Sequence, residues 1–176
     1  MELLETKHLI LRPFIPDDFT AVQSWAGVPE NVRYMAWGPN TEEQTRAFLS
    51  RTKQGEDFAV VLKQSCAVIG SCGIYPNTAK DTADMGWILH RDYWQKGYGT
   101  ELCAELIHYG FEVLGLRRLR APCAAVNYGS YRIMERNGMR REALHKQAFW
   151  ARIDQEWIDE AVYAILAEEY FQNQGK

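Results

Sequence analysis

The spacing of apolar positions changes several times along the chain, and each change marks an element. His8–Phe14 alternates, with Leu9 and Leu11 opposed to Ile10 and Arg12, which predicts a short strand stopped by Pro13 and Pro16. Pro16-Asp17-Asp18 then opens a helix to about Trp25, because Phe19, Val22 and Trp25 share one face and the acids sit at the positive end of its dipole. Thr41-Glu42-Glu43-Gln44 has the spacing of a capping box and predicts a second helix to about Lys53. Between the two helices lies Ala26–Asn40, an apolar and aromatic loop punctuated by Pro and Gly. It could cover a core or line a substrate cleft, and on its position alone Glu30, Tyr34 and Trp37 are candidates for an acceptor pocket.

Three apolar runs, Asp57–Lys63, Ala67–Tyr75 and Thr82–Leu89, are separated by polar turns and predict a meander. The period then lengthens. Leu102, Leu106, Tyr109 and Val113 give helical spacing over Tyr98–Leu114, stopped by Gly115. Leu116–Ala124 reads as a strand and Tyr128–Asn137 as a helix ended by Gly138. Met139–Trp150 and Trp157–Leu166 read as a hairpin around Arg152-Ile153-Asp154-Gln155, and the tail Gln172–Lys176 looks loose. The elements make one mixed α/β domain over residues 1–176, with no repeat or linker.

Composition narrows the function. With 47% hydrophobic and 24% charged residues, the 176-residue chain is ordinary globular material. The net charge of −3 and the lack of a basic stripe argue against nucleic acid as a partner. Arg117, Arg118 and Arg120 read as an exposed strand edge, and the mild acidic excess is compatible with a cationic substrate such as an amine. No apolar run approaches the roughly 20 residues of a membrane span, and the N-terminus lacks the pattern of a signal peptide. The four cysteines form no Cys-x-x-Cys pair and the four histidines are scattered, so no metal site is expected; reduced thiols fit a cytoplasmic protein. Cys123 reads as a small buried hydrophobe and His90 as a surface turn residue.

The most informative stretch is Asp84–Thr100, where a strand ends near Leu89 and a helix starts near Gly97. Gly97 and Gly99 leave backbone N–H groups uncovered at the positive end of that helix, which suits a pyrophosphate. Glycines also stand where a helix packs closely on a sheet, so the pair alone is weak. There is no P-loop sequence, and Leu102 stands where a dinucleotide fingerprint needs a third glycine.

Tyr93-Trp94-Gln95-Lys96-Gly97-Tyr98-Gly99-Thr100-Glu101 resembles the acetyl-CoA pyrophosphate loop of the GNAT acetyltransferases, and more narrowly that of the ribosomal-protein N-terminal (Rim-type) acetyltransferases. Further segments resemble the same family in the same order: Leu9-Ile10-Leu11-Arg12-Pro13 its first strand, Asp84-Met85-Gly86-Trp87 its fourth, Asn127-Tyr128-Gly129-Ser130 and Glu135-Arg136-Asn137-Gly138-Met139 its Asn-x-x-Ser helix, and Asp159, Tyr163, Leu166 and Glu169 its closing strand. Three positions depart from the wider pattern. Trp94 stands where the wider superfamily often has Arg or Gln and where the Rim-type branch commonly has Trp, Met139 replaces Phe, and Met134 stands where many members carry a tyrosine general acid, which excludes that acid here.

The resemblance implies a GNAT fold, a mostly antiparallel, splayed sheet of about seven strands with helices on both faces. It implies acetyl-CoA as cosubstrate, no metal, and direct attack of a neutral amine on the thioester. Gln95, Lys96, Gly97, Tyr98, Gly99, Thr100 and Arg136 are then expected around the phosphates, and Trp87, Ile88, Leu89 and Asn127 along the pantetheine arm. Ser130 is expected at the thiol, as acid or hydrogen-bond partner, and Asp84 is the candidate base, directly or through water. Each has a structural alternative: Asn127 and Ser130 can cap a helix, and Asp84 can be a solvent-facing strand residue. The expected acceptor is a protein or peptide N-terminal amine, with a small-molecule amine as the rival. The other rival is a non-catalytic acyl-CoA-binding module, and a homodimer is a further expected association.

Overall fold

The computed structural model describes residues 3–174. Its eight strands are β1 (Leu4–Glu5), β2 (Leu9–Arg12), β3 (Asp57–Leu62), β4 (Ala67–Pro76), β5 (Thr82–Leu89), β6 (Arg118–Ala124), β7 (Arg140–Ala151) and β8 (Glu156–Leu166). They form one sheet in the order β1-β2-β3-β4-β5-β6-β8-β7, antiparallel at every junction except β5–β6. The strand beyond the expected seven is β1, whose two residues pair with Leu11 and Ile10 and are too few to show any period.

The helices are α1 (Phe19–Ala26, entered through a 3-10 turn at Pro16–Asp18), α2 (Pro29–Val32), α3 (Glu42–Arg51), α4 (Tyr98–His108, prolonged by a π turn to Val113), α5 (Tyr128–Arg136) and α6 (Ala167–Gln174). Neither α2 nor α6 was foreseen. A single turn inside an aromatic loop carries no readable period. The tail expected to be loose is helical through Gln174, and Glu169, assigned to the closing strand, lies in α6 instead. There its carboxylate accepts the Leu166 N–H at 2.8 Å and pairs with Arg140. Gly175 and Lys176 lie outside the described residues.

Period-2 alternation distributes the apolar side chains over two faces. On one face Leu9, Leu11, Val60, Ile74, Met85 and Leu89 pack under Leu102, Leu106 and Phe111 of α4 and its π turn, together with Met134 of α5. On the other, Ile88 packs with Val22, Trp25 and Ala26 of α1 and with Val32 of α2, beside Phe48 of α3. Helices therefore cover both faces. The start of α1 is pinned by Asp18, which is buried, accepts both Arg12 guanidinium nitrogens at 2.7 Å and takes the Ile15 N–H at 2.9 Å. That bond raises the Arg12 pKa above its ordinary value.

The arginine cluster is not a strand edge. β6 lies inside the sheet between β5 and β8, and each arginine is paired: Arg117 with Asp81, Arg118 with Glu142 and Arg120 with Asp84. These pairs neutralise the cluster, so it offers no basic patch.

Candidate active site

The two parallel strands touch only at their start. Thr82, Ala83 and Asp84 of β5 register with Arg118, Leu119 and Arg120 of β6, and beyond that point the strands part. β6 stays with β8 along its whole length, and β5 stays with β4, so the sheet opens as a V between Asp84 and the end of β5. Even-numbered residues of β5 direct their backbone groups to β4: the Asn77 N–H donates to the Thr82 carbonyl at 2.8 Å and the His90 N–H to the Ile69 carbonyl at 2.7 Å. Odd-numbered residues therefore face the gap. The Leu89 carbonyl is already taken by Trp94 Nε1 at 2.7 Å and Asn31 Nδ2 at 3.1 Å. The peptide groups of Trp87 and the Leu89 N–H are what this edge presents. Ile88, placed beside them by the sequence, turns its backbone to Ser71 and its side chain into the α1 cluster.

At the mouth of the V stands the front of α4. Gln95 and Gly97 both have positive φ, 60° and 86°, which turns the chain so that the helix begins without a capping side chain. Glu101 is the first residue to close a helical bond, to the Gly97 carbonyl at 3.1 Å. The amides of Tyr98, Gly99 and Thr100 are left pointing outward at the positive end of the dipole. A Cβ at Gly97 would meet nothing within 4 Å, so the space before the helix is open; one at Gly99 would meet Ile133 Cδ1 at 2.6 Å. Gly97 thus serves the turn and Gly99 the packing of α4 on α5. Lys96 lies over the Tyr93 ring at 5.4 Å. Asn137 donates to the Thr100 carbonyl at 3.2 Å, joining the end of α5 to the first turn of α4, and Arg136 beside it in sequence is exposed. This donor set, an uncapped helix front with a lysine directly before it, fits a diphosphate.

On the far arm of the V, Asn127 caps α5: its Oδ1 accepts the Ser130 N–H at 3.3 Å and its Nδ2 donates to Ser130 Oγ at 3.0 Å. The Ser130 hydroxyl therefore accepts from Asn127 and keeps its own proton to donate. Cys123, at the end of β6, has its thiol pushed up to about 11, by burial first and then by the Glu160 charge, so it is protonated at neutral pH and a poor nucleophile.

Asp84 closes the V at its vertex. Both carboxylate oxygens are held by the Arg120 guanidinium, at 2.6 and 2.8 Å. The pair raises the Arg120 pKa above its ordinary value.

A cleft of about 600 Å³ lies on the α1 face of β5. Trp25, Met35, Trp37 and Phe48 give it an apolar wall, and Ser71, Gly73 and Gly86 give it a floor of small residues. The Ala26–Asn40 loop does both things its composition allows: Val32 belongs to the buried core while Met35 and Trp37 face the cleft. Of the acceptor-pocket candidates, Trp37 lines the cleft; Glu30 and Tyr34 do not. Glu30 is exposed at the front of α2, and Tyr34 packs by Arg33 at 5.8 Å.

The sequence reading missed three residues. Asn31 is buried and bridges α2 to β5, donating to the Leu89 carbonyl and accepting the Arg91 N–H at 2.8 Å. Arg51 and Arg152 line the cleft from α3 and from the β7–β8 turn. A polar residue in the single turn opened by Pro29 was the available signal for Asn31; nothing local marks the two arginines. Among the described residues no cluster of three or more His, Cys, Asp or Glu could hold a metal ion, and no helix is long and apolar enough to cross a membrane.

Residues 8–140 match the family model described as Acetyltransferase (GNAT) domain. The uncharacterized N-acetyltransferase YnaD of Bacillus subtilis is 35% identical over 169 residues, 95% of this chain and 98% of that protein. The uncharacterized N-acetyltransferase p20 of Bacillus licheniformis is 29% identical over 178 residues, 97% and 99% of the two chains. Among solved structures, a GNAT-family acetyltransferase from Bacillus anthracis has a TM-score of 0.88 at 32% identity and covers 95% of this chain and 99% of its own.

Proposed function

Since the chain belongs to the acetyltransferase (GNAT) family and is an acetyl-CoA-dependent N-acetyltransferase of that type, we propose that its acceptor is the α-amine of a protein or peptide N-terminus. The observation that carries this reading is the absence of any carboxylate from the residues lining the cleft, with Asp84 occupied at both oxygens by Arg120. An acceptor that arrives as a full ammonium meets no carboxylate among the residues lining this cleft. A lysine or polyamine amine has a pKa of about 10.4, an α-amine about 7.7–8.0, so the neutral fraction near pH 7 differs by about a few hundredfold. The α-amine alone reaches a useful neutral concentration by itself.

Acetyl-CoA supplies the activated acyl group as a thioester. The amides of Tyr98, Gly99 and Thr100 hold the diphosphate, with Gln95, Lys96 and Arg136 around it, and Asn127 together with the gap-side peptide groups of Trp87 and Leu89 steadies the pantetheine arm. The Leu89 or Trp87 N–H is the donor available to a developing oxyanion. As the amine nitrogen bonds the acyl carbon and the C–S bond breaks, the Ser130 hydroxyl hydrogen-bonds the sulfur, which leaves as thiolate, and the proton shed by the amine goes to solvent; a thiol with a pKa of about 8.5 needs little more help. Asp84 enters as a positioning residue that locks the vertex through Arg120, in place of the base role its strand position suggests. The Rim-type reading rests on Trp94 and the Asn127–Ser130 pair.

Thiol release from acetyl-CoA against a panel of peptide N-termini, lysine side-chain mimics and polyamines tests the reading. The expected order of kcat/KM near pH 7 is peptide α-amine first by about a hundredfold or more. Preference for spermidine-like amines would overturn it. Tight coenzyme A binding with no thiol release in the presence of any amine would leave a binding module instead.

A further inference from the structure

The cleft beside the V carries a charge pattern that the overall acidity of the chain conceals. Two of its lining side chains are cationic, Arg51 and Arg152, and none is anionic. The ion-paired arginines among the described residues are Arg12, Arg33, Arg46, Arg91, Arg117, Arg118, Arg120 and Arg140, so these two are not neutralised. Each is instead fixed by a backbone carbonyl. Arg51, in the last turn of α3, donates Nε to the Ala47 carbonyl at 3.0 Å; Arg152 donates Nε to the Gly38 carbonyl at 3.2 Å. Both bonds use Nε, leaving the four N–H groups of each terminal fork unassigned.

Their placement is built by tertiary contacts. Asp154, in the same turn as Arg152, pairs with Arg33 at 3.0 and 2.9 Å. With the Arg152–Gly38 bond, this ties the β7–β8 turn to the loop that walls the cleft, so Arg152 lines the cleft from that turn while Arg51 comes from α3. Trp25 and Trp37, edge to face at 6.3 Å, supply an apolar surface on the same cleft.

We propose that Arg51 and Arg152 read a carboxylate on the acceptor, so that the preferred substrate is a peptide whose α-amine is followed within its first residues by Asp or Glu. This rests on the α-amine reading and narrows it. Two physical consequences agree. A cationic rim disfavours the ammonium form of the amine and so helps it enter neutral. And with the whole chain at −3, an acidic peptide is selected by the local pair of forks and not by the long-range field.

The experiment uses free glutamate and three tetrapeptide amides that differ only at the second and third residues: Glu-Glu, Gln-Gln and Lys-Lys. With acetyl-CoA saturating, wild-type kcat/KM is expected to fall about fivefold at each step in that order, mainly through KM, and the ratio to shrink in high salt. Arg51→Gln, on an exposed helix end that tolerates it, lowers turnover of the Glu-Glu peptide more than that of Gln-Gln, so the ratio between the two shrinks. Arg152→Lys keeps the charge and retains most of the preference; Arg152→Gln loses it. Coenzyme A affinity is the same in all. Equal turnover of the three peptides, or preference for Lys-Lys, overturns the assignment and leaves the α-amine reading standing. Turnover of free glutamate but of no peptide upholds the anion-reading pair and overturns the peptide acceptor. No thiol release from any of them overturns both.

Discussion

Helices α3 and α4 face the same problem at their starts, a turn of backbone N–H groups with no intrahelical partner, and treat it in opposite ways. Thr41 closes the front of α3: its hydroxyl accepts the Gln44 N–H at 3.2 Å and the Gln44 side chain accepts the Thr41 N–H at 2.9 Å. At α4 no side chain does this, and the left-handed turn at Gly97 sweeps the preceding chain out of the way. The first helix end is satisfied within the chain and serves stability. The second is left unsatisfied where the sheet splits, and an unsatisfied helix start beside a gap is a place for a ligand. α5 stands between the two: Asn127 caps it, yet that bonding leaves the Ser130 proton free.

The contrast can be broken most severely at Gly97. Gly97→Glu puts a carboxylate at the phosphate position and a side chain on a φ of 86°, and is expected to weaken coenzyme A binding about a hundredfold by calorimetry. Unchanged affinity would remove the diphosphate from α4. Ser130→Ala tests the intermediate case. It should lower kcat about tenfold with little change in coenzyme A affinity, because the hydroxyl assists only the departing sulfur. At Asp84→Asn the expectation is a loss within about fivefold, with kcat/KM still rising to a plateau above the acceptor's own pKa of about 8. A hundredfold loss with a displaced pH profile would return the proton-accepting role to Asp84. Thr41→Ala should cost about 1 kcal/mol, or about 2–4 °C in Tm, and leave coenzyme A binding untouched. Least of all, thiol labelling near pH 8 should modify exposed Cys66 first and lag at Cys123, while the buried Cys72 and Cys103 stay silent.

The order and kind of most elements were legible along the chain. β3, β4 and β5 appear within a residue or so of their expected limits, because apolar runs between polar turns leave little choice. The capping box of α3 and the glycine stop at Gly115, with φ 64°, are local features and were read locally. The uncapped front of α4 was legible too, since the glycine at 97, with φ 86°, states a backbone condition that needs no distant partner. Glu30 and Tyr34 do not line the cleft, because position in a loop does not say which way a side chain looks; the single turn α2 turned Asn31 inward.

What the sequence determined by itself was thus whatever depends on residues within a turn or two of one another: strand and helix limits, caps, stops, and the open amides at Gly97. The tertiary structure decided the rest. It parted β5 from β6 after three residues of pairing, tied Asp84 to Arg120 across that vertex, and brought Arg51 and Arg152, about a hundred residues apart in sequence, to one cleft. Periodicity reports which face of an element is apolar; only packing fixes what charge stands opposite, because that is set by side chains contributed from elements far apart in the chain.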